Sequence, residues 1–338
     1  MNAKSILPAQ LRPTPLDTAV LRFLFDAHPM PVFTETIARA IFTRAGGVAK
    51  TASGRCWRTL DGLRRDGLVK ATASATIAGR PPLAWHLTES TIEWLVSSGR
   101  VDLADWKRKP RQHKSLASLI AREHEHHVHA VRAEVEHAAR VTPGLSLEYV
   151  SYAERNAESV VDPATGEVLS VEPDLVVVLG VDGARLLLLV EVQGTAPRLK
   201  EVSAKVRAFR LYLSGAEAMR RYDVQGVRVV FVTFSDDPQG GEDHAWNVME
   251  TILGEGQLLK VSFVAPLSAV LREGLLSPIF VTPHRYQEAL RAAPGALRDR
   301  LYEARHSSNA VRAARDAFVA AAVVHEVLIP VAKGAAHD

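Results

Sequence analysis

Apolar residues recur at helical spacing through Leu16, Ala19, Val20, Phe23 and Leu24, and His28-Pro29-Met30-Pro31 then stops the pattern, so an amphipathic helix is predicted to open the fold. Thr34 is placed to cap a second helix carrying Ile37, Ala38 and Ile41, which Gly46-Gly47 ends. A third helix starts at Thr51, sets Cys56, Leu60 and Leu63 on an inner stripe, and stops at Gly67. The period then changes. Leu68-Val69-Lys70-Ala71 and Ala84-Trp85-His86-Leu87 read as strands about a turn at Gly79-Arg80-Pro81-Pro82, and Thr88 caps a helix through Ile92, Trp94 and Leu95. Farther on, the pattern predicts a helix at 116–140, a strand at 145–152 and an irregular polar stretch to 170. Strands at 173–179 and 185–192 are nearly continuous apolar runs, which implies burial on both faces of a sheet. A helix at 199–213, a strand at 227–233, a helix at 245–253 and a strand at 259–264 follow. Beyond 267, helices rich in Ala and Arg are expected at 283–303 and 308–328. Val311, Ala314, Phe318, Ala321 and Val324 or His325 form one stripe there, to pack on the sheet or make a homodimer.

The fold class is therefore mixed α/β (α+β). At 338 residues the chain is long enough for two or three domains. The expected division is 1–110, 111–266 and a helical C-terminal segment at 267–338. Cys56 is the only cysteine, which excludes a disulfide framework and cysteine-rich zinc modules. No apolar run is long enough for a membrane span and no signal peptide is apparent, so a cytoplasmic protein is expected. The formal net charge of +3 is small for this length, so attraction to phosphate depends on where the charge sits.

It sits on the third helix, where Lys50, Arg55, Arg58, Arg64 and Arg65 stand outside the apolar stripe, with Arg80 at the following turn. The order of elements over residues 16–97, with "LRRDGLV" leading into a hairpin that ends "WHLT", resembles winged helix-turn-helix domains. The resemblance implies double-stranded DNA as partner: a helix of this length fits the major groove, and Arg contacts phosphates or reads guanine edges. The alternative is a solvated basic face on a protein–protein module. Residues 107–114 form a charged linker that also suits contact with the DNA backbone.

Between the two apolar strands stands Val181-Asp182-Gly183-Ala184, and Asp-Gly is a strong signal for a two-residue type I′ hairpin. With Asp182 and Gly183 as the turn, Val181 faces Ala184 and Asp174 faces Glu191. Opposed Cβ atoms lie about 4.5–5.5 Å apart, so two carboxylates there call for a cation, a proton or a basic neighbour. A divalent metal such as Mg²⁺, held by Asp174 and Glu191, is the leading candidate. Gln193 shares the face of Glu191.

Pro173-Asp174 opening one strand and Glu191-Val192-Gln193 closing the next resemble the PD-(D/E)xK nuclease-like superfamily, a restriction-endonuclease-like mixed-sheet fold. The resemblance implies that Asp174 and Glu191 hold Mg²⁺ while a lysine handles the attacking water. Position 193 is Gln, which argues against full activity, and Lys200 or Lys205 on the next helix is the substitute. Lys205 also stands four residues after Glu201, the spacing of an ordinary surface ion pair. Together with "HHVHAVRAEV" from His126, "EPDLVVVL" from Glu172 and "LLLVEVQGTAPRLKEVSAKVRAF" from Leu187, the chain resembles the replication-relaxation family of plasmids and mobile elements. That implies a DNA-binding protein of plasmid replication or transfer, with other replication or transfer proteins as further partners. The rival readings are a Mg²⁺-dependent DNA endonuclease or nickase, and a transcriptional regulator or assembly scaffold.

His124, His126, His127 and His129 crowd one helix beside Glu123 and Glu125, but His124 is followed at i+4 by Val128, so the zinc motif of two histidines flanking a Glu is absent. A polar helix end is the other reading. Glu134 is either a third carboxylate for the acidic site or a solvated residue. Gly194-Thr195 either admits DNA backbone or turns the chain, and 236–243 has no P-loop pattern.

Overall fold

The computed structural model describes residues 13–28, 30–44, 49–73, 83–102, 119–152, 157–194, 199–215, 217–235, 238–256, 258–293, 295 and 326–329. The chain divides into two compact units. One comprises residues 1–143 with 151–156, and the other 144–150 with 157–338. Both mix helix and strand, as the sequence predicts.

The first unit runs α1 (Pro15–Ala27), β1 (Val32–Phe33), α2 (Thr34–Ile37), which continues as a π-helical turn over Ala38–Phe42, then α3 (Ala49–Arg65), β2 (Val69–Ala73), β3 (Leu83–Leu87), α4 (Glu89–Ser97) and α5 (Leu119–Val141). Thr14 and Asp17 close a capping box at the start of α1. β3 lies between β1 and β2, antiparallel to both. Thr34 does not cap α2 with its side chain. The residue is buried, its hydroxyl donates to the Leu83 carbonyl, and it accepts from Trp85 Nε1 at 2.8 Å. A buried indole N–H needs an acceptor, and that demand outcompetes the cap. Thr88 does cap α4, through the Thr91 amide.

α5, expected in the second domain, packs in the first unit. Arg140 donates to the carbonyls of Arg39, Ala40 and Thr43, which α2 and its π-helical turn leave without helical partners. Glu134 is buried and takes a two-pronged ion pair from Arg39 at 2.6 and 2.7 Å, so this carboxylate serves α5 packing and is not solvated. Arg132 is buried between Asp26 and Glu136, with Tyr152 Oη at 3.2 Å and the Phe23 ring beneath it.

The second unit contains β4 (Leu145–Tyr152, whose last two residues belong to the first unit), β5 (Glu158–Val161), β6 (Val168–Val171), β7 (Leu175–Val181), β8 (Ala184–Gly194), α6 (Leu199–Ser214), α7 (Glu217–Tyr222), β9 (Gly226–Phe234), α8 (Pro238–Leu253), β10 (Ser262–Pro266), α9 (Leu267–Glu273) and α10 (Pro283–Ala292). The main sheet has the order β10-β9-β8-β7-β4. β7 and β8 pair antiparallel, and β8, β9 and β10 pair parallel. Leu175 to Leu179 and Leu187 to Val192 are buried without interruption, as continuous apolar strands require. On one face Val176, Val178, Leu187, Leu189, Val229 and Phe231 pack with Val202, Val206 and Phe209 of α6 and Val248, Met249 and Ile252 of α8. The stretch expected to be irregular before residue 170 contains the β5–β6 hairpin. The predicted helix at 308–328 and its apolar stripe lie outside the described residues, apart from Glu326, which bridges to Phe280, and Val327 and Leu328. Among the described residues no helix is long and apolar enough to cross a membrane.

Candidate functional site

The β7–β8 hairpin sets the site. Asp182 and Gly183 have φ of 48° and 87°, the positive values that both central residues of a type I′ turn need. Val181 pairs with Ala184 and Leu175 with Val190, so one step farther along the same register Asp174 stands opposite Glu191. Asp174 Oδ2 accepts the Val192 amide at 2.7 Å, which fixes this carboxylate to the neighbouring strand.

Glu191 follows Leu187 and Leu189 on the sheet face that carries α6, and that helix delivers Lys205 to it. The Lys205 ammonium donates to Glu191 Oε1, which also accepts from Gln193 Nε2 at 3.2 Å. The partner of Lys205 is thus the buried Glu191 rather than Glu201 one turn earlier on α6. A cavity of about 250 Å³ opens here, lined by Ser170, Val171, Glu172, Glu191, Lys205 and Phe209 among others. Glu191 is fully buried, and Lys205 is 42% exposed, so the pair links the interior to the cavity.

Burial, and then the charge of Asp174, push the Glu191 carboxyl up to about 7 against the pull of Lys205 and Gln193. Burial pulls the Lys205 ammonium down, but Glu191, Asp174 and Glu172 outweigh it and hold the group charged. Two buried oxygens, Glu191 Oε2 and Gln193 Oε1, have no hydrogen-bond partner among the described residues. A buried acceptor without a donor is costly. Glu191, Gln193 and Asp174 would offer a cation oxygen donors only, the hard type that Mg²⁺ takes, commonly from one or two carboxylates with water completing the shell. No cluster of three or more His, Cys, Asp or Glu able to hold a metal occurs among the described residues.

The basic residues of α3 are placed unequally. Lys50 and Arg58 are exposed. Arg55 is half-buried, with its guanidinium 6.0 Å from the centre of the Phe42 ring. Arg64 and Arg65 both reach back to Asp61, at 2.8 and 2.5 Å, so part of their charge is already compensated. Arg80, the linker at 107–114, Thr195 and the side chain of Lys200 lie outside the described residues.

The histidine helix is α5. His127 faces Glu123 at 3.6 Å, the His126 ring lies on Phe33, and His129 Nδ1 is 2.8 Å from Tyr152 Oη. Gly194 has a packing role: a Cβ there would meet the Phe234 ring at 2.8 Å. Residues 238–243 begin α8, and the Gly241 carbonyl accepts from Thr233 Oγ1.

Sequence reasoning missed the β5–β6 hairpin, which supplies Leu169, Ser170 and Val171 to the cavity wall. Arg207 of α6 ties its turn down through Asp162, Thr165 and Glu167. The signal was Asp162-Pro163-Ala164-Thr165-Gly166, a turn composition between two short valine-bearing runs. Comparison with protein-family models, with curated proteins and with solved structures finds no match.

Proposed function

We propose that the chain is a DNA-binding protein of plasmid or mobile-element replication and relaxation. In this reading it is built from a winged helix-turn-helix and a PD-(D/E)xK nuclease-like unit, and the second unit hydrolyses phosphodiester bonds with a divalent cation. The observation that carries the hydrolytic part is the convergence of Lys205 on Glu191 beside Asp174. The lysine missing at position 193 is supplied from α6 instead. Asp174 and Glu191 would hold Mg²⁺, with Gln193 Oε1 as a neutral third oxygen. Bound there, the ion would polarise the scissile phosphate and lower the pKa of an attacking water. Gln193 Nε2 orients Glu191, and Lys205, which lines the cavity with its ammonium on Glu191, offers a positive charge for a phosphate oxygen or a water. The DNA-binding part rests on the exposed Lys50 and Arg58 of α3, with Arg64 and Arg65 at the end of that helix.

The test is incubation of the purified protein with supercoiled plasmid in Mg²⁺, Mn²⁺ or EDTA, scoring both nicking and mobility shift. Metal-dependent nicking is expected, lost in Asp174→Ala and Lys205→Ala and kept in Glu201→Ala. Nicking that survives Asp174→Ala overturns the assignment of this site. A shift without cleavage would leave a transcriptional regulator or scaffold on a nuclease-like fold, the reading that the neutral Gln193 favours.

A further inference from the structure

The solvent side of α3 carries more than cations. Trp57 is 47% exposed, although an indole is among the side chains that gain most from burial. One turn earlier stands Gly54, exposed within a 17-residue helix whose interior disfavours glycine. Packing among the described residues does not require that glycine, since a Cβ built there meets nothing within 4 Å. At 100° per residue Lys50, Gly54, Trp57 and Arg58 fall on one side of the helix, so a bare stretch of backbone and a projecting indole lie between two exposed cations. A surface shaped this way fits a polyanion that presents apolar groups between its charges.

Resting on the DNA-binding reading above, we infer that Trp57 is the side chain by which α3 discriminates base pairs, its indole packing on thymine methyl groups in the major groove. The cations of the same face engage the flanking phosphates, and Gly54 lets the helix backbone approach the base edges. The assignment to thymine follows from chemistry. An indole offers an apolar surface and a single N–H donor with no acceptor, so it cannot make the two-point contacts that read guanine or adenine. The apolar feature of the major groove is the C5-methyl group of thymine.

The test is fluorescence anisotropy on two short duplexes, alternating d(A-T) and its d(A-U) counterpart, which differ only in the methyl groups. The wild type is expected to bind d(A-T) more tightly by about fourfold for each methyl covered. Trp57→Ala should lose that preference while keeping the slope of log K against log salt, whereas Arg58→Ala should keep the preference and lower the slope by about one. Because Trp57 is half exposed, melting of the Ala variant should match the wild type, and Trp57→Phe should retain part of the preference. A wild type indifferent to the methyl groups, or a preference that survives Trp57→Ala, overturns the inference about Trp57 and leaves DNA binding standing if Arg58→Ala still lowers the slope. Absence of binding to either duplex overturns both. If Trp57→Ala instead converts a dimer to a monomer in sedimentation equilibrium with the methyl preference intact, a second copy of the chain occupies this face and the inference fails.

Discussion

Replacing Glu191 with Gln tests the electrostatics of the site without changing its shape. Burial, reinforced by Asp174, lifts this carboxyl from 4.5 to about 7, so between those values the folded chain keeps a proton that the unfolded chain has released. Its contribution to stability is therefore complete below about 4.5 and lost as pH rises through about 7. At about 1.4 kcal/mol per pH unit the interval amounts to roughly 3 kcal/mol. Gln stays neutral throughout, and loss of the Lys205 partner offsets the whole curve without adding a slope of its own. Urea unfolding followed by far-UV circular dichroism from pH 4.5 to 8.5 should show the wild type losing about 3 kcal/mol relative to Glu191→Gln, mostly between pH 5 and 7. Mg²⁺ engages the ionised carboxylate, so millimolar Mg²⁺ should return part of the loss at pH 8 to the wild type and none to the variant. A difference between the two proteins that stays constant with pH would refute the burial argument. A pH-dependent difference that Mg²⁺ leaves untouched would refute the cation site alone.

The first unit should respond to acid in the opposite sense. Burial first, then Arg39 and Arg140, lowers His137 to about 4, so its stabilisation is present above about 6.5 and lost as pH falls through about 4. The wild type should lose about 3 kcal/mol over that interval relative to His137→Phe, read from acid unfolding curves. Arg132→Met should cost about 1.5–3 kcal/mol in thermal melts, because it withdraws the buried guanidinium that the partly exposed Asp26 and Glu136 share. Gly183→Ala should cost about 1–2 kcal/mol, since φ of 87° is strained for any side chain, and Asp182→Asn should be nearly silent in the same melts.

Local chemistry and short-range periodicity were enough to place several parts of the fold. The Asp182-Gly183 turn required a two-residue hairpin, and the two-residue period of the strands then carried Asp174 opposite Glu191 without any tertiary information. The stripe of Cys56, Leu60 and Leu63 likewise defined the inner face of α3 and, by subtraction, its basic side. Which partner a long, multivalent side chain takes across the chain was fixed by folding. Lys205 had a plausible neighbour in Glu201 one helical turn away, yet it reaches Glu191, because an exposed pair gains little whereas a buried carboxylate without a cation is costly. Glu134 turned to Arg39, 95 positions away, for the same reason: charges pair where desolvation makes an absent partner expensive. The β5–β6 hairpin also escaped the sequence. Its strands are four residues long with valines left exposed, so alternation hardly registers, and its placement depends on Arg207 reaching it from a helix some 40 residues away. Periodicity reports what a residue does every two or four positions, whereas pairing across such distances is settled by burial, which exists only once the chain has folded.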